Sequence, residues 1–200
     1  MKTMKKMLIK LQLRKLQLKK LQLRKIQIKK SDDFTIPRIS QLTLKTNQFN
    51  LTTKRYQEEH IRDFTKSKDM IVECVHVEDK FGDSGITGVW IIKKSSKEEW
   101  YLDTFLLSCR VIGREIEKGI LGSVIEKAKL EGVKKIKAQY IPTKKNKPCE
   151  NFLSDCGFKI QDDYYIYNIE NNAIKMLKFI AGLAIDIEKV AANNNTSIQE

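Results

Sequence analysis

The stretch from Trp100 to Gly132, WYLDTFLLSCRVIGREIEKGILGSVIEKAKLEG, leaves few folds open to this chain. Leu102 to Leu107 has the length and apolar character of a strand, and it passes through Ser-Cys-Arg-Val-Ile-Gly-Arg-Glu into a helix. Ile116, Ile120, Leu121, Val124, Ile125 and Ala128 recur at the spacing of one buried helix face, and Gly132 stands where a left-handed cap ends a helix. A strand that delivers a turn into a helix N-terminus aims free N–H groups and a positive dipole end at one point, which suits a phosphate. The spacing Arg110-x-x-Gly113 adds a cation and a residue with no side chain, so the backbone can close on a pyrophosphate. The same unit is also what a plain strand–turn–helix packing element looks like.

The neighbouring segments supply a sheet. Met70 to Glu78 and Gly88 to Lys93 read as adjacent strands, with Phe81-Gly-Asp-Ser-Gly85 as turn residues between them. Lys135 to Ile141 reads as a strand ended by Pro142, Thr143 to Asp155 as a short helix followed by Gly157, and Tyr164 to Ile169 as a last strand. The resulting order, three strands, helix, strand, helix, strand, resembles that of the GNAT acyltransferase fold. The resemblance implies one mixed α/β sheet flanked by helices. It also implies that the turn after the fourth strand holds the pyrophosphate of coenzyme A or phosphopantetheine. Asn146-Lys-Pro-Cys-Glu-Asn-Phe-Leu-Ser-Asp-Cys-Gly-Phe158 is similar to the later motif of that family.

Three further motifs narrow the likeness: Arg38 to Tyr56 (RISQLTLKTNQFNLTTKRY), Lys80 to Val89 (KFGDSGITGV) and Asp103 to Arg114 (DTFLLSCRVIGR). In this order, over roughly residues 36–160, they resemble the C-terminal, GNAT-like part of FkbH-like (HAD-IIIC) proteins. Such proteins pair a HAD-type phosphatase part, which loads an acyl group onto an acyl carrier protein for polyketide-like biosynthesis, with a GNAT-like part. A HAD phosphatase needs an Asp-x-Asp motif, one carboxylate to attack phosphorus and one to act as acid. The chain has none, so no phosphatase activity is expected of it, and the resemblance points to a separate HAD-type subunit. The resemblance places Arg110, Val111, Ile112, Gly113, Arg114 and Asn146 at the cofactor, and Cys109 and Asp103 at the chemistry. Two positions depart from the GNAT pattern. Glu115 stands where the loop usually carries a small residue, either repelling a pyrophosphate or sitting as a favoured acid in the first helical turn. Leu153 stands where many acetyltransferases carry a tyrosine able to protonate the departing thiolate.

Cys109 offers a way round that missing acid. A thiol at the end of the fourth strand can take an acyl group from one carrier and pass it to another. Arg110 and the helix N-terminus would stabilise an anion there, and thiolate is the nucleophilic form of cysteine. The alternative is a small buried residue closing the strand.

The net charge of +13 is unevenly spread. Residues 1–30 hold twelve Lys or Arg and no acid, so the remainder carries 13 − 12 = +1. This arm repeats LQLRK, LQLKK, LQLRK, IQIKK, and neither a helical nor a strand period gives it one sustained apolar side. It reads as a low-complexity arm, solvated when free, and its deletion is expected to leave thermal unfolding nearly unchanged. Unopposed cations leave a nucleic-acid or membrane-surface role open as the competing reading. The organisation expected is a basic arm over 1–33, a GNAT-like domain over 34–170, and a C-terminal helix and tail over 171–200. The last rests on the apolar stripe Ile174, Leu177, Ile180, Ala181, Ala184, Ile187 and Ala191. Lysines interrupt every apolar run of the arm and no run approaches the length of a bilayer span, so the expected location is cytoplasmic. The four cysteines (74, 109, 149, 156) are expected as reduced thiols. They have no Cys-x-x-Cys spacing and His60 and His76 alone as histidine partners, so no metal site is expected. His76 is expected packed in a strand or at its edge, and Trp90 and Trp100 in the core or on a sheet face. Two functions remain: an acyltransferase-like domain handling a pantetheine thioester of an acyl carrier protein or coenzyme A, or a non-catalytic carrier-docking module.

Overall fold

A computed structural model of the chain describes residues 23–79, 82–112, 116–170 and 185–187. In chain order these form β1 (Leu23–Lys30), α1 (Ile36–Lys45), β2 (Phe49–Asn50), α2 (Glu58–Lys66), β3 (Met70–Asp79), β4 (Gly82–Lys94) and β5 (Glu99–Leu107). There follow α3 (Ile116–Leu130), β6 (Lys135–Ala138), a 3-10 turn (Lys147–Cys149), α4 (Phe152–Asp155), β7 (Lys159–Gln161), β8 (Tyr164–Asn168) and β9 (Ile185–Ile187). The strands make one mixed sheet in the order β7-β8-β6-β5-β4-β3-β1-β9, with β2 added to an edge of β5. β3, β4 and β5 are an antiparallel meander, and β5 and β6 run parallel, joined through α3. This is the single mixed sheet flanked by helices that the fold resemblance implied.

The apolar density of the central strands follows from cover on both faces. Val75, Val77, Trp90 and Ile92 face the core under α3, while Val72, Cys74, Val89 and Ile91 face a second core under α1 and α2. The whole apolar face of α3 expected from its spacing is buried. Gly132, at φ +76°, closes the helix. Its N–H donates to the Lys129 carbonyl and that of Val133 to Ala128, the paired bonds of a Schellman cap. Trp90 and Trp100 are core residues, as expected.

β5 carries one extra residue. Ile91 pairs with Thr104 and Ile92 with Leu102, so Asp103 bulges out of the ladder. The bulge shifts the alternation by one and keeps Trp100, Leu102, Phe105 and Leu107 all in the α3-side core. Opposite Leu107 stands Gly88, where a Cβ would lie 2.5 Å from the Leu107 Cδ2, 3.2 Å from the Val75 Cβ and 3.3 Å from the Leu106 carbonyl oxygen. Gly88→Ala is therefore expected to overpack the end of β5 and cost about 1–3 kcal/mol, read as a lower urea midpoint at unchanged slope.

Several expectations are corrected. Leu23–Lys30, assigned to a solvated arm, is a strand: β1 pairs antiparallel with β3, and Ile26 and Ile28 are buried. The repeat lacks a long apolar face, but a strand needs only a short one, and Ile26-Gln-Ile28 supplies it. The remaining arm residues, 1–22, lie outside the described residues. Ile185–Ile187, expected within a helix, is instead strand β9, parallel to β1, and the rest of the stripe over 173–192 also lies outside the described residues. Gly82 to Gly85, expected as a turn, already belong to β4. β6 ends at Ala138 rather than Ile141. The helix expected over 143–155 is a 3-10 turn and one turn of α4, because the Asn146 side chain takes the Thr143 N–H and Pro148 has none to give. α1, β2 and α2 were not read from the sequence. Among the described residues, no helix is long and apolar enough to cross a membrane.

Candidate functional site

β5 and β6 are paired from Glu99↔Lys135 to Leu102↔Ala138 and then part, at the Asp103 bulge. A diverging pair of parallel strands leaves backbone groups along β5 without a partner strand. The segment Phe49–Thr52, all four residues buried, lies along that edge. Phe49 pairs with Leu107 and Asn50 with Leu106. The Leu51 N–H donates to the Phe105 carbonyl (3.1 Å) and the Thr52 hydroxyl to the Asp103 carbonyl (2.9 Å).

Beyond Leu107 the chain turns sharply. The Ser108 N–H donates to the Thr87 carbonyl (2.7 Å) and the Val111 N–H to the Ser108 carbonyl (3.1 Å), closing a β-turn with Cys109 and Arg110 at its two central positions. Both are exposed, while Val111 is buried as the anchor and Ile112 is half-buried against the core. The N–H of Val111 is thus committed to the turn rather than offered to a phosphate. Gly113 and Arg114, the rest of the expected phosphate loop, and Glu115 lie outside the described residues.

Cys109 is exposed, while Cys74, Cys149 and Cys156 are buried free thiols. It therefore does not close the strand as a small core residue. It lines a cavity of about 350 Å³ together with Leu107 and Ser108, Arg38, Leu42 and Lys45 of α1, and the Thr46–Gln48 link to β2. Arg38 is tied to the Ile86 carbonyl (3.2 Å) and to Gln41. Burial, and then repulsion from Arg110, hold its guanidinium below the ordinary value. Burial pushes the other three thiols up, Cys74 to about 11 and Cys149 and Cys156 to about 12.

Asp103, the second candidate for chemistry, is not in the cavity wall. Its carboxylate accepts from Lys54 Nζ (2.5 Å), from the Tyr56 hydroxyl (2.7 Å) and from the Thr104 hydroxyl (3.0 Å). Burial opposes the charge on Lys54, but the bond to Asp103 prevails and raises it. Burial first, and then Asp103, push the Tyr56 phenol far up, so it remains a donor. A carboxylate so fully engaged anchors the α1–α2 connection to the bulge. Lys54 and Tyr56 were missed in the sequence, where neither shows a spacing that ties it to Asp103.

Asn146 also departs from its expected role. It is fully buried, and its Nδ2 donates to the carbonyls of Asn50 (3.0 Å) and Ile141 (2.9 Å). Its Oδ1 accepts from the Thr143 N–H (2.7 Å) and hydroxyl (3.0 Å). No polar atom is left over for a cofactor; the residue frames Phe49–Thr52. Leu153 is a core residue. His76, half-buried in β3, pairs with Asp83 across the β3–β4 hairpin at 2.6 Å.

No protein-family model matches the sequence, and no curated protein matches it. Solved structures do match in fold. The spermidine N-acetyltransferase from Vibrio cholerae, in complex with CoA and spermine, superposes with a TM-score of 0.58 at 8% identity, over 74% of this chain and 98% of that one. An acetyltransferase of the GNAT family from Staphylococcus aureus MU50 gives 0.55 at 15% identity, over 72% and 99%. The ribosomal-protein-S18-alanine N-acetyltransferase from Escherichia coli gives 0.54 at 10%, over 70% and 90%. At such identities the likeness shows the fold: the domain has the GNAT architecture.

Proposed function

We propose that this chain is an acyltransferase-like domain that handles a pantetheine thioester and carries the acyl group on Cys109. The observation behind this reading is the exposed Cys109 thiol, set on the turn that ends β5 and facing a cavity of about 350 Å³. The cavity suits the reacting end of a thioester, and the fold is one that transfers acyl groups in its structural neighbours. The motif resemblance to FkbH-like proteins supports an acyl carrier protein as donor or acceptor, in polyketide-like biosynthesis beside a separate HAD-type subunit. The Vibrio cholerae structure with CoA supports coenzyme A as the other source of the same pantetheine thioester.

The chemistry needs no redox partner. Cys109 gives up its proton, and its Sγ attacks the thioester carbonyl carbon. The bond from that carbon to the donor sulfur breaks, and the donor leaves as a thiolate that takes up a proton. The acyl group is then held as a thioester on Cys109, and an acceptor thiol reverses the steps. Because one thiol replaces another, the free energy changes little and no strong leaving-group acid is required. That removes the difficulty raised by Leu153. Arg38 and Lys45 in the cavity wall make it positive, which favours an anionic carrier or acyl group over a cationic amine acceptor.

The test uses the intact chain and S-acetyl-pantetheine. At pH 7 a maleimide is expected to modify Cys109 at least about a hundredfold faster than the three buried thiols, and the thioester to add one acetyl group at Cys109. Cys109→Ser is expected to abolish the adduct with the melting temperature unchanged. Selective maleimide labelling without any acetyl transfer would favour the non-catalytic docking module.

A further inference from the structure

The edge of β5 beyond Leu102 is where an extended, amide-bearing arm would add itself to this sheet, as a peptide adds to an open strand. A pantetheine arm carries two amides and ends in the sulfur that must reach Cys109 at the end of the same strand. We propose that Phe49–Thr52 is a fixed strand of the sheet that closes this edge to a pantetheine arm and turns the approach to Cys109 to the cavity beside α1. The route to Cys109 rests on the function proposed above; the closed edge does not.

Both sides of the segment are zipped. Toward β5, the carbonyls of Asp103 and Phe105 are taken by Thr52 and Leu51, and Phe49 and Asn50 complete the ladder opposite Leu107 and Leu106. Away from β5, the Leu51 carbonyl accepts the Ile141 N–H (2.8 Å), the Asn50 carbonyl accepts Asn146 Nδ2 (3.0 Å), and the Gln48 carbonyl accepts Cys149 Sγ (3.3 Å). The segment therefore bridges the two halves of the sheet where β5 and β6 part. Its side chains are core rather than cover: Phe49 packs 5.0 Å from the Phe152 ring and 6.2 Å from Phe105, and Leu51 is 1% exposed. Immediately after it, Thr53 takes φ +51°, rare for a β-branched residue, with its N–H held by the Asn50 side chain (2.9 Å). The chain thus leaves the slot through a defined turn. Asn50 Nδ2 also reaches the Thr46 carbonyl just beyond α1, so the occupant of the slot and the wall of the Cys109 cavity are one continuous stretch.

Hydrogen exchange of the full chain decides this, with and without saturating acetyl-CoA. The amides to follow are Leu51, bonded to Phe105, and Ile141, bonded to Leu51; that of Trp90 in β4 is the core reference. A fixed strand predicts that all three exchange through the same global opening, within a few-fold of one another, and that acetyl-CoA leaves their ratio unchanged. Exchange of Leu51 and Ile141 about a hundredfold or more faster than Trp90 would overturn the proposal and make the segment a gate. A selective loss of their protection on adding acetyl-CoA would overturn it as well. Global protection together with no acetyl adduct on Cys109 would sustain the closed edge and sink the catalytic reading, so the two failures are distinguishable.

Discussion

Deletion of residues 1–30 is expected to unfold the domain, or to lower its melting temperature on the order of 10–20 °C. β1 lies between β3 and β9, and Ile26 and Ile28 are at most 2% exposed in the α3-side core. Burying the two isoleucines contributes about 3–6 kcal/mol, a large part of the ~5–15 kcal/mol that holds an ordinary domain together. The deletion also strips the partner from most of β3, whose apolar edge would then seek other strands. Ile26→Ala alone is expected to cost about 2–5 kcal/mol, whereas Lys29→Ala, on an exposed residue of the same strand, should stay within about 0.5 kcal/mol. Equal effects from the two substitutions, or a deletion that melts like the full chain, would return β1 to the solvated arm.

That strand shows where the sequence is opaque. The five-residue repeat hides one useful alternation inside a pattern with no net face, and what selects Ile26-Gln-Ile28 is the waiting edge of β3, a partner more than forty residues away. The helix α3 was legible because its six apolar positions and its glycine cap are local facts, complete within Ile116 to Gly132. β3 and β4 were legible for a similar reason: two-sided burial writes itself as a continuous apolar run. By contrast, the stretch from Gln48 to Tyr56, with its paired threonines and paired cations, has the composition of a loop. Within it Phe49–Asn50 becomes strand β2, and side chains elsewhere hold it where a neighbouring strand would. The site divides the same way. Cys109 was singled out by its place after β5, and its exposure follows from the turn. Asp103 was found as a residue, but its role depends on Lys54 and Tyr56, nearly fifty residues upstream, and on a bulge that leaves no mark in the local sequence.

Asn146→Ala should be a damaging substitution near the site. The side chain, itself fully buried, satisfies three backbone groups, the buried carbonyl of Asn50 and the part-buried Ile141 carbonyl and Thr143 N–H, across a sequence separation of up to 96 residues. The buried Asn50 carbonyl left without a partner costs about 1–3 kcal/mol, while water can reach the other two groups, so a loss of about 1–3 kcal/mol is expected, seen as a lower urea midpoint. Asn146→Asp tests the directions of these bonds. Ionised, the new carboxylate would keep the acceptor toward Thr143 but turn a negative oxygen toward two carbonyls. Its folded-state pKa would be raised above the unfolded value. The stability of this variant is then fully present below the unfolded pKa and lost as pH rises through the folded one. The variant should therefore approach the parent in acid and fall away from it toward neutrality, while Asn146→Ala shows no such slope. If Asn146 instead touched a cofactor, both substitutions would weaken thioester binding at an unchanged urea midpoint. A framing residue predicts the reverse order: stability falls first, and hydrogen exchange at Leu51 and Ile141 accelerates with it.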